Sequence, residues 1–118
     1  MGSKNYERAA YQERRAAKFL SNYTGETFTR VIGSGRYKDF PGDVEGPRDL
    51  IQHKLSSEKA SGGIKTIRLN KADLVKIVEQ ARSKDKKPAL IFAFNGDHQL
   101  WAVVPLERYG DLINYERP

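Results

Sequence analysis

The sequence predicts an α/β domain in which a mixed central β-sheet is flanked by α-helices. Three observations carry that expectation. Segments with helical periodicity alternate with short β-branched and aromatic runs. One run, Pro88 to Phe94, is apolar almost throughout, as a strand covered on both faces should be. The chain is 118 residues long and shows no internal repeat, low-complexity tract or interdomain linker, which fits one domain spanning 1–118.

The first element is a helix from Tyr6 to about Leu20, whose residue types favour helix and whose Tyr6, Ala10, Ala17 and Leu20 fall on one face. Residues 1–5 are expected to be disordered or a cloning remnant. Glu13 shares the apolar stripe. A carboxylate on an inward face needs a reason, because burying it unpaired is costly. The sequence leaves two open: an ion pair with an Arg or Lys at the core edge, or an acid that belongs to an active site.

Gly25 interrupts the chain, and Thr27 to Ile32 alternates as a strand does. Gly33-Ser34-Gly35 is a loop, Pro41-Gly42 a turn, and a short strand is expected around Asp43 to Glu45. After Gly46-Pro47, Asp49 to Leu55 reads as a strand with Leu50, Gln52 and Lys54 on one face and Ile51, His53 and Leu55 on the other. Glu58 to Gly63 reads as a loop, with a short extended piece at Ile64 to Leu69. Asn70 is placed to cap a helix running to about Arg82 that buries Leu74, Ile77, Val78 and Ala81. Asn95-Gly96 then turns the chain from the Pro88 to Phe94 strand to another at Leu100 to Val104. The expected order is helix, three strands, helix, two strands.

Composition narrows the function. There is no cysteine, hence no disulfide framework, and no apolar stretch of membrane-spanning length or signal-type leader. Net charge is +6, and all of the surplus lies between Arg48 and Lys87, where 11 Lys and Arg face 5 Asp and Glu. Such a field favours a polyanion such as nucleic acid, although a lysine-rich surface kept for solubility has the same composition.

Four polar positions then converge: Glu13 on the inner helix face, Asp43 after Pro41-Gly42, and Gln52 with Lys54 on one strand face. Pro41-Gly42-Asp43, eight residues, then Gln52-His53-Lys54 resembles the PD-(D/E)XK nuclease motif. Phosphodiester hydrolysis suits such residues, because Mg²⁺ takes carboxylate and water oxygens and lowers the pKa of a bound water. The resemblance makes Asp43 the central metal ligand, position 52 a second, the backbone carbonyl of His53 a third, and Lys54 the group that orients water or steadies developing charge.

More of the chain resembles one branch of that class. Gln12-Glu13-Arg14-Arg15-Ala16-Ala17-Lys18-Phe19-Leu20, followed by Thr29-Arg30-Val31-Ile32-Gly33-Ser34-Gly35, is similar to the opening of the archaeal-type Holliday junction resolvases. The resemblance implies a restriction-endonuclease-like fold, a homodimer, and paired cuts across a four-way DNA junction. It puts Glu13, Asp43, Gln52 and Lys54 at the catalytic positions, with Glu13 among the metal ligands, and Arg14, Arg30 and Ser34 against phosphate. The implied cofactor is Mg²⁺, with Mn²⁺ as a substitute and no small-molecule cofactor. The implied setting is the cytoplasm of a bacterial, archaeal or phage-infected cell, away from membranes.

One residue departs from the pattern: the family carries Glu where this chain has Gln52. The amide keeps the shape and an oxygen but removes a negative charge, which weakens Mg²⁺ binding. The expectation is a protein that binds junctions and cuts them poorly, either as a natural variant with reduced or altered activity or through an inactivating substitution, which the intact remainder of the site favours. Gly33-Ser34-Gly35-Arg36 lacks the Gly-Lys-Ser/Thr ending of a P-loop, so Ser34 and Arg36 either meet phosphate or form an ordinary turn. Gln80 lies either within reach of Lys54 or phosphate, or in solvent. Trp101, with Phe92 and Phe94, reads as core or dimer interface rather than a stacking platform. The rival functions are another repair or restriction-type nuclease of the class, a DNA-binding protein that has lost catalysis, and an RNA-binding domain, which lacks its aromatic motif here.

Overall fold

The computed structural model describes the backbone of residues 2–31, 43–55, 65–94 and 96–116, and side chains from Ala10 onward within them, Leu55 excepted. Helix α1 (Gly2–Thr24) leads to β1 (Thr29–Arg30), β2 (Val44–Glu45) and β3 (Asp49–Leu55). Helix α2 (Lys71–Ser83), β4 (Lys87–Ala93), β5 (Trp101–Val103) and α3 (Leu106–Glu116) complete it. The α/β class and the mixed sheet agree with the sequence.

The five strands lie in the order β1-β2-β3-β4-β5. Only β3 and β4 are parallel, paired along their whole length from Asp49 opposite Lys87 to Leu55 opposite Ala93. A parallel pair needs a crossover, and α2 supplies it. Alternation along β3 separates two layers. Ile51 packs with Ala16, Ala17, Phe28, Val44 and Ile91, on the side of α1. Leu50 packs with Ile77 and Ala81 of α2.

Helix ends follow from local chemistry. At the end of α1, Gly25 has φ +78° and its N–H donates to the Ser21 carbonyl at 3.0 Å, the left-handed stop that glycine permits. The Ser21 hydroxyl accepts from the Phe28 N–H at 2.9 Å and donates to the Phe28 carbonyl at 3.2 Å, tying the helix to the approach to β1. At the start of α2, Asn70 Oδ1 accepts from the Asp73 N–H at 2.9 Å, the expected cap. The turn between β2 and β3 closes with the Gly46 N–H on the Asp49 carbonyl at 2.9 Å. Only glycine fits at 46, because a Cβ there would lie 2.3 Å from the buried Phe28 ring.

Several expectations are corrected. Helix α1 reaches from Gly2 to Thr24, longer at both ends than the Tyr6 to Leu20 periodicity and including residues 2–5. Of the strand expected over Thr27 to Ile32, Thr29 and Arg30 pair with β2 and the Val31 N–H donates to the Asp43 carbonyl. Thr27 and Phe28 stay outside the sheet because β2 ends opposite Thr29, and Ile32 lies outside the described residues. Residues 65–69 carry no regular structure. A third helix, α3, follows β5, where no helix was expected. The Gly33 to Arg36 loop and Pro41-Gly42 lie outside the described residues. Among the described residues, no helix is long and apolar enough to cross a membrane.

Candidate active site

Three polar residues with side chains buried or half-buried meet where β2 runs out alongside β3. Asp43, 6% exposed, immediately precedes β2. Its N–H donates to the Ile51 carbonyl at 2.8 Å and its carbonyl accepts from the Val31 N–H at 2.9 Å, so the backbone is held from both neighbouring strands. Its Oδ2 accepts from Gln52 Nε2 at 2.8 Å and from the His53 backbone N–H at 2.7 Å. The N–H and C=O of one residue in an extended strand point to the same edge, so the His53 carbonyl also faces the Asp43 side. The His53 ring is buried at 8% exposure, so the residue contributes main chain here and its side chain belongs to the packing.

Glu13, also 6% exposed, enters from α1. Its Oε1 accepts from Arg30 Nε at 2.7 Å, which establishes the ion pair the sequence left open. Burial raises the Glu13 carboxyl above its ordinary range, the hydrogen bond from Arg30 opposes this, and the charge of Asp43 raises it further. Glu13 and Asp43 are therefore close enough to repel. The ion-pair and active-site readings of Glu13 do not exclude each other, since the acid paired with Arg30 is also within electrostatic reach of Asp43.

Lys54 has a different neighbour from the one its motif suggests. Its Nζ donates to Asp73 Oδ2 at 2.8 Å, one turn into α2. Asp73 is a site residue that the sequence reasoning did not single out. The available signal is its position in the first turn of α2, three residues after the Asn70 cap. Gln80 stands two turns further along the same helix face, half-buried. Of the residues assigned to phosphate, Arg14 is exposed on α1. Arg30 is engaged with Glu13. Ser34 and Arg36 lie outside the described residues.

The donor types suit a hard cation: two carboxylates, the Gln52 amide oxygen and the His53 carbonyl. Burial and the nearby Asp43 charge both oppose ionisation of Glu13, an opposition that a bound divalent cation would relieve. Position 52 works against it, because the amide turns an N–H toward Asp43 and takes the place a bridging cation would share with that oxygen. Among the described residues, no group of three or more His, Asp or Glu side chains converges to hold a metal. Comparisons with protein-family models, with curated proteins and with solved structures found no match for this chain.

Proposed function

We propose that this protein is a structure-specific, Mg²⁺-dependent endodeoxyribonuclease acting on four-way DNA junctions, carried on a restriction-endonuclease-like fold and held in a poorly cutting form by Gln52. The observation that carries the reading is the buried Asp43 carboxylate bonded to both Gln52 and the His53 main chain, beside a Glu13 whose carboxyl is raised by burial and by the Asp43 charge. Two buried acids brought within electrostatic reach of each other are expected at a catalytic site more than in a core.

Asp43 and Glu13 would hold a cation, with the Gln52 oxygen and His53 carbonyl as neutral donors. A bound Mg²⁺ would polarise phosphate and acidify a water. Arg30 fixes the Glu13 carboxylate, so that this acid is oriented before any substrate arrives. Lys54, aligned by Asp73, is a cation on the strand next to Asp43 and can steady charge that develops on a phosphate. Arg14 and the basic stretch from Arg48 to Lys87 would track the backbone of the DNA. Mn²⁺ would substitute, and the working compartment would be a prokaryotic cytoplasm.

A symmetric dimer suits a junction with two equivalent strands. The surface supports it. Helix α3 buries none of its residues and exposes Leu106, Tyr109, Leu112 and Tyr115, with Trp101 of the adjoining β5 also half-exposed. An amphipathic helix is expected to cover such a face, and a second copy is the occupant that the two-fold substrate favours.

The deciding experiment incubates this chain and its Gln52→Glu form with a labelled four-way junction and a linear duplex of the same sequence, with and without Mg²⁺. The expected result is junction-preferring binding by both and cutting by Gln52→Glu alone. Equal affinity for the two DNAs would remove the resolving activity and leave another nuclease. A second reading, a DNA-binding protein without catalysis, is favoured by the Gln52 amide donating to Asp43 at the position where the resemblance expects an acid. It predicts that Gln52→Glu binds junctions and never cuts.

A further inference from the structure

Away from Asp43, a cleft of about 380 Å³ opens between α1 and the segment before β5, lined by Arg15, Lys18, Phe19, Asn22, His98 and Gln99 together with Leu100. That volume lies within the roughly 300–1,000 Å³ typical of small-ligand sites. The four α1 residues recur at i, i+3, i+4 and i+7, so they form one face of the helix, distinct from the buried stripe of Ala10, Glu13, Ala16 and Ala17. We propose that this cleft binds a nucleotide unit of unpaired nucleic acid, with the base on Phe19 and the phosphate on Lys18 and Arg15.

Two features require a ligand of that kind. The first is aromatic. Phe19 and Tyr23 stack on each other with ring centroids 5.6 Å apart and planes 16° apart, yet they are 58% and 80% exposed. Single exposed apolar residues are ordinary, but two parallel rings in water beside cations make a platform that a base can extend.

The second feature is charge held in place without neutralisation. Arg15 Nη1 donates to Gln12 Oε1 at 2.8 Å and Nη2 donates to the His98 carbonyl. Both acceptors are neutral, so the guanidinium is oriented while its charge remains for a phosphate. Among the described residues, neither Arg15 nor Lys18 forms an ion pair. Asn22 and Gln99 add amide groups that can meet a base edge, Gln99 Nε2 already donating to the Leu100 carbonyl at 3.0 Å. Flat ring, fixed cation, mobile cation and side-chain amides together match a base with its phosphate better than they match a lone anion, which has no use for the rings.

The inference does not depend on cleavage at Asp43, since a chain that never cuts would still hold an unpaired strand here. The test is fluorescence anisotropy with a labelled single-stranded oligodeoxyadenylate and a labelled duplex of equal length, at two salt concentrations, for the parent, Phe19→Ala, Phe19→Trp and Lys18→Gln. Phe19→Ala is expected to weaken single-strand binding by about tenfold, the loss of one stacked base, and to leave duplex binding unchanged. Phe19→Trp should restore it. Lys18→Gln should flatten the slope of log affinity against log salt by about 0.7, one phosphate contact to a single strand. Unchanged single-strand affinity in Phe19→Ala, or equal losses for strand and duplex, overturns the proposal. Competition with deoxyadenosine monophosphate separates the two sources: if the monophosphate binds as tightly as the oligonucleotide, the cleft serves free nucleotides and the strand reading is overturned. Phe19 is mostly exposed, so an unchanged thermal melt is expected for its variants and keeps the affinities comparable.

Discussion

Replacing Gln52 by Glu tests the site through stability before any DNA is added. The substitution changes the 2.8 Å hydrogen bond from Gln52 Nε2 to Asp43 into a contact between two carboxylates. The lost bond to a charged acceptor is worth about 1.5–3 kcal/mol. Two like charges near 4 Å repel by about 4 kcal/mol at an effective dielectric of 20. The terms do not simply add, because the pair can escape by taking up a proton. Holding a glutamate protonated at pH 7 costs about 3.7 kcal/mol from its reference pKa, and the resulting O–H donates to Asp43 much as the amide did. The metal-free variant should therefore lose about 3–4 kcal/mol at pH 7, a fall in Tm of about 10–15 °C for a domain of this size.

The dependence on pH and metal has a definite sign. The introduced carboxyl is more easily protonated folded than unfolded, so its penalty is absent below the unfolded carboxylate pKa and grows as pH rises. Thermal unfolding of both proteins at pH 4 and pH 7, with and without Mg²⁺, reads all of this. At pH 7 the variant should recover about 2.7 kcal/mol with Mg²⁺ at a hundred times its Kd, while the parent gains far less. Cleavage should rise by about two orders of magnitude or more, since a first ligand charge is worth a few kcal/mol in the barrier. A Gln52→Glu protein as stable as the parent at pH 7 without metal, and indifferent to Mg²⁺, would show that position 52 does not face Asp43.

The other predictions rest on separate contacts. Glu13→Gln keeps an acceptor for Arg30 and removes a charge whose ionisation is opposed by burial and by Asp43; urea unfolding should show it at least as stable as the parent at pH 8, with the gain gone below pH 4.5, the ordinary Glu value. In the Gln52→Glu background it should abolish cutting while junction binding remains. Glu45 is held below its ordinary value by hydrogen bonds from Lys86 at 2.7 Å and Lys84 at 2.9 Å. Glu45→Gln should therefore cost up to about 1 kcal/mol at pH 7, discounted for exposure, and the difference should fade as pH falls below the ordinary carboxylate value. Gly46→Ala pushes a methyl into the Phe28 ring and should cost about 1–3 kcal/mol in chemical denaturation with no change in oligonucleotide affinity. A melting temperature within error of the parent would show that the ring moves aside freely.

Much of the fold was legible because the signal was local. The Asn70 cap, the Gly25 stop and the period-two alternation of Asp49 to Leu55 depend on neighbours in sequence. The errors fall where a distant partner decides. Thr27 and Phe28 have strand composition, but β2 ends opposite Thr29, and no propensity encodes that. Helix α3 carries Leu106, Tyr109, Leu112 and Ile113 at helical spacing, but Pro105 precedes it and Gly110 interrupts it, both residues that weaken a helical signal. Its apolar face finds no burial within one chain, so the cue that ordinarily ranks a helix with the core is missing.

The candidate site divides in the same way, and the division bears on function. Asp43 beside Gln52 follows from two short strands joined by a tight turn, since an antiparallel pair brings position 43 against 52 and 53 once Val44 lies opposite Ile51. Glu13 joins them because helical periodicity turned it inward and the sheet received it. Lys54 with Asp73 follows from neither rule. It requires the crossover to set the first turn of α2 over the end of β3, a placement fixed by Leu50, Ile77 and Ala81 packing together. The lysine is thus aligned by the helix layer on one side of the sheet, whereas Glu13 comes from the layer on the other. Any chemistry at Asp43 needs both layers in register, so core substitutions under α2 should disturb the lysine without moving the acids.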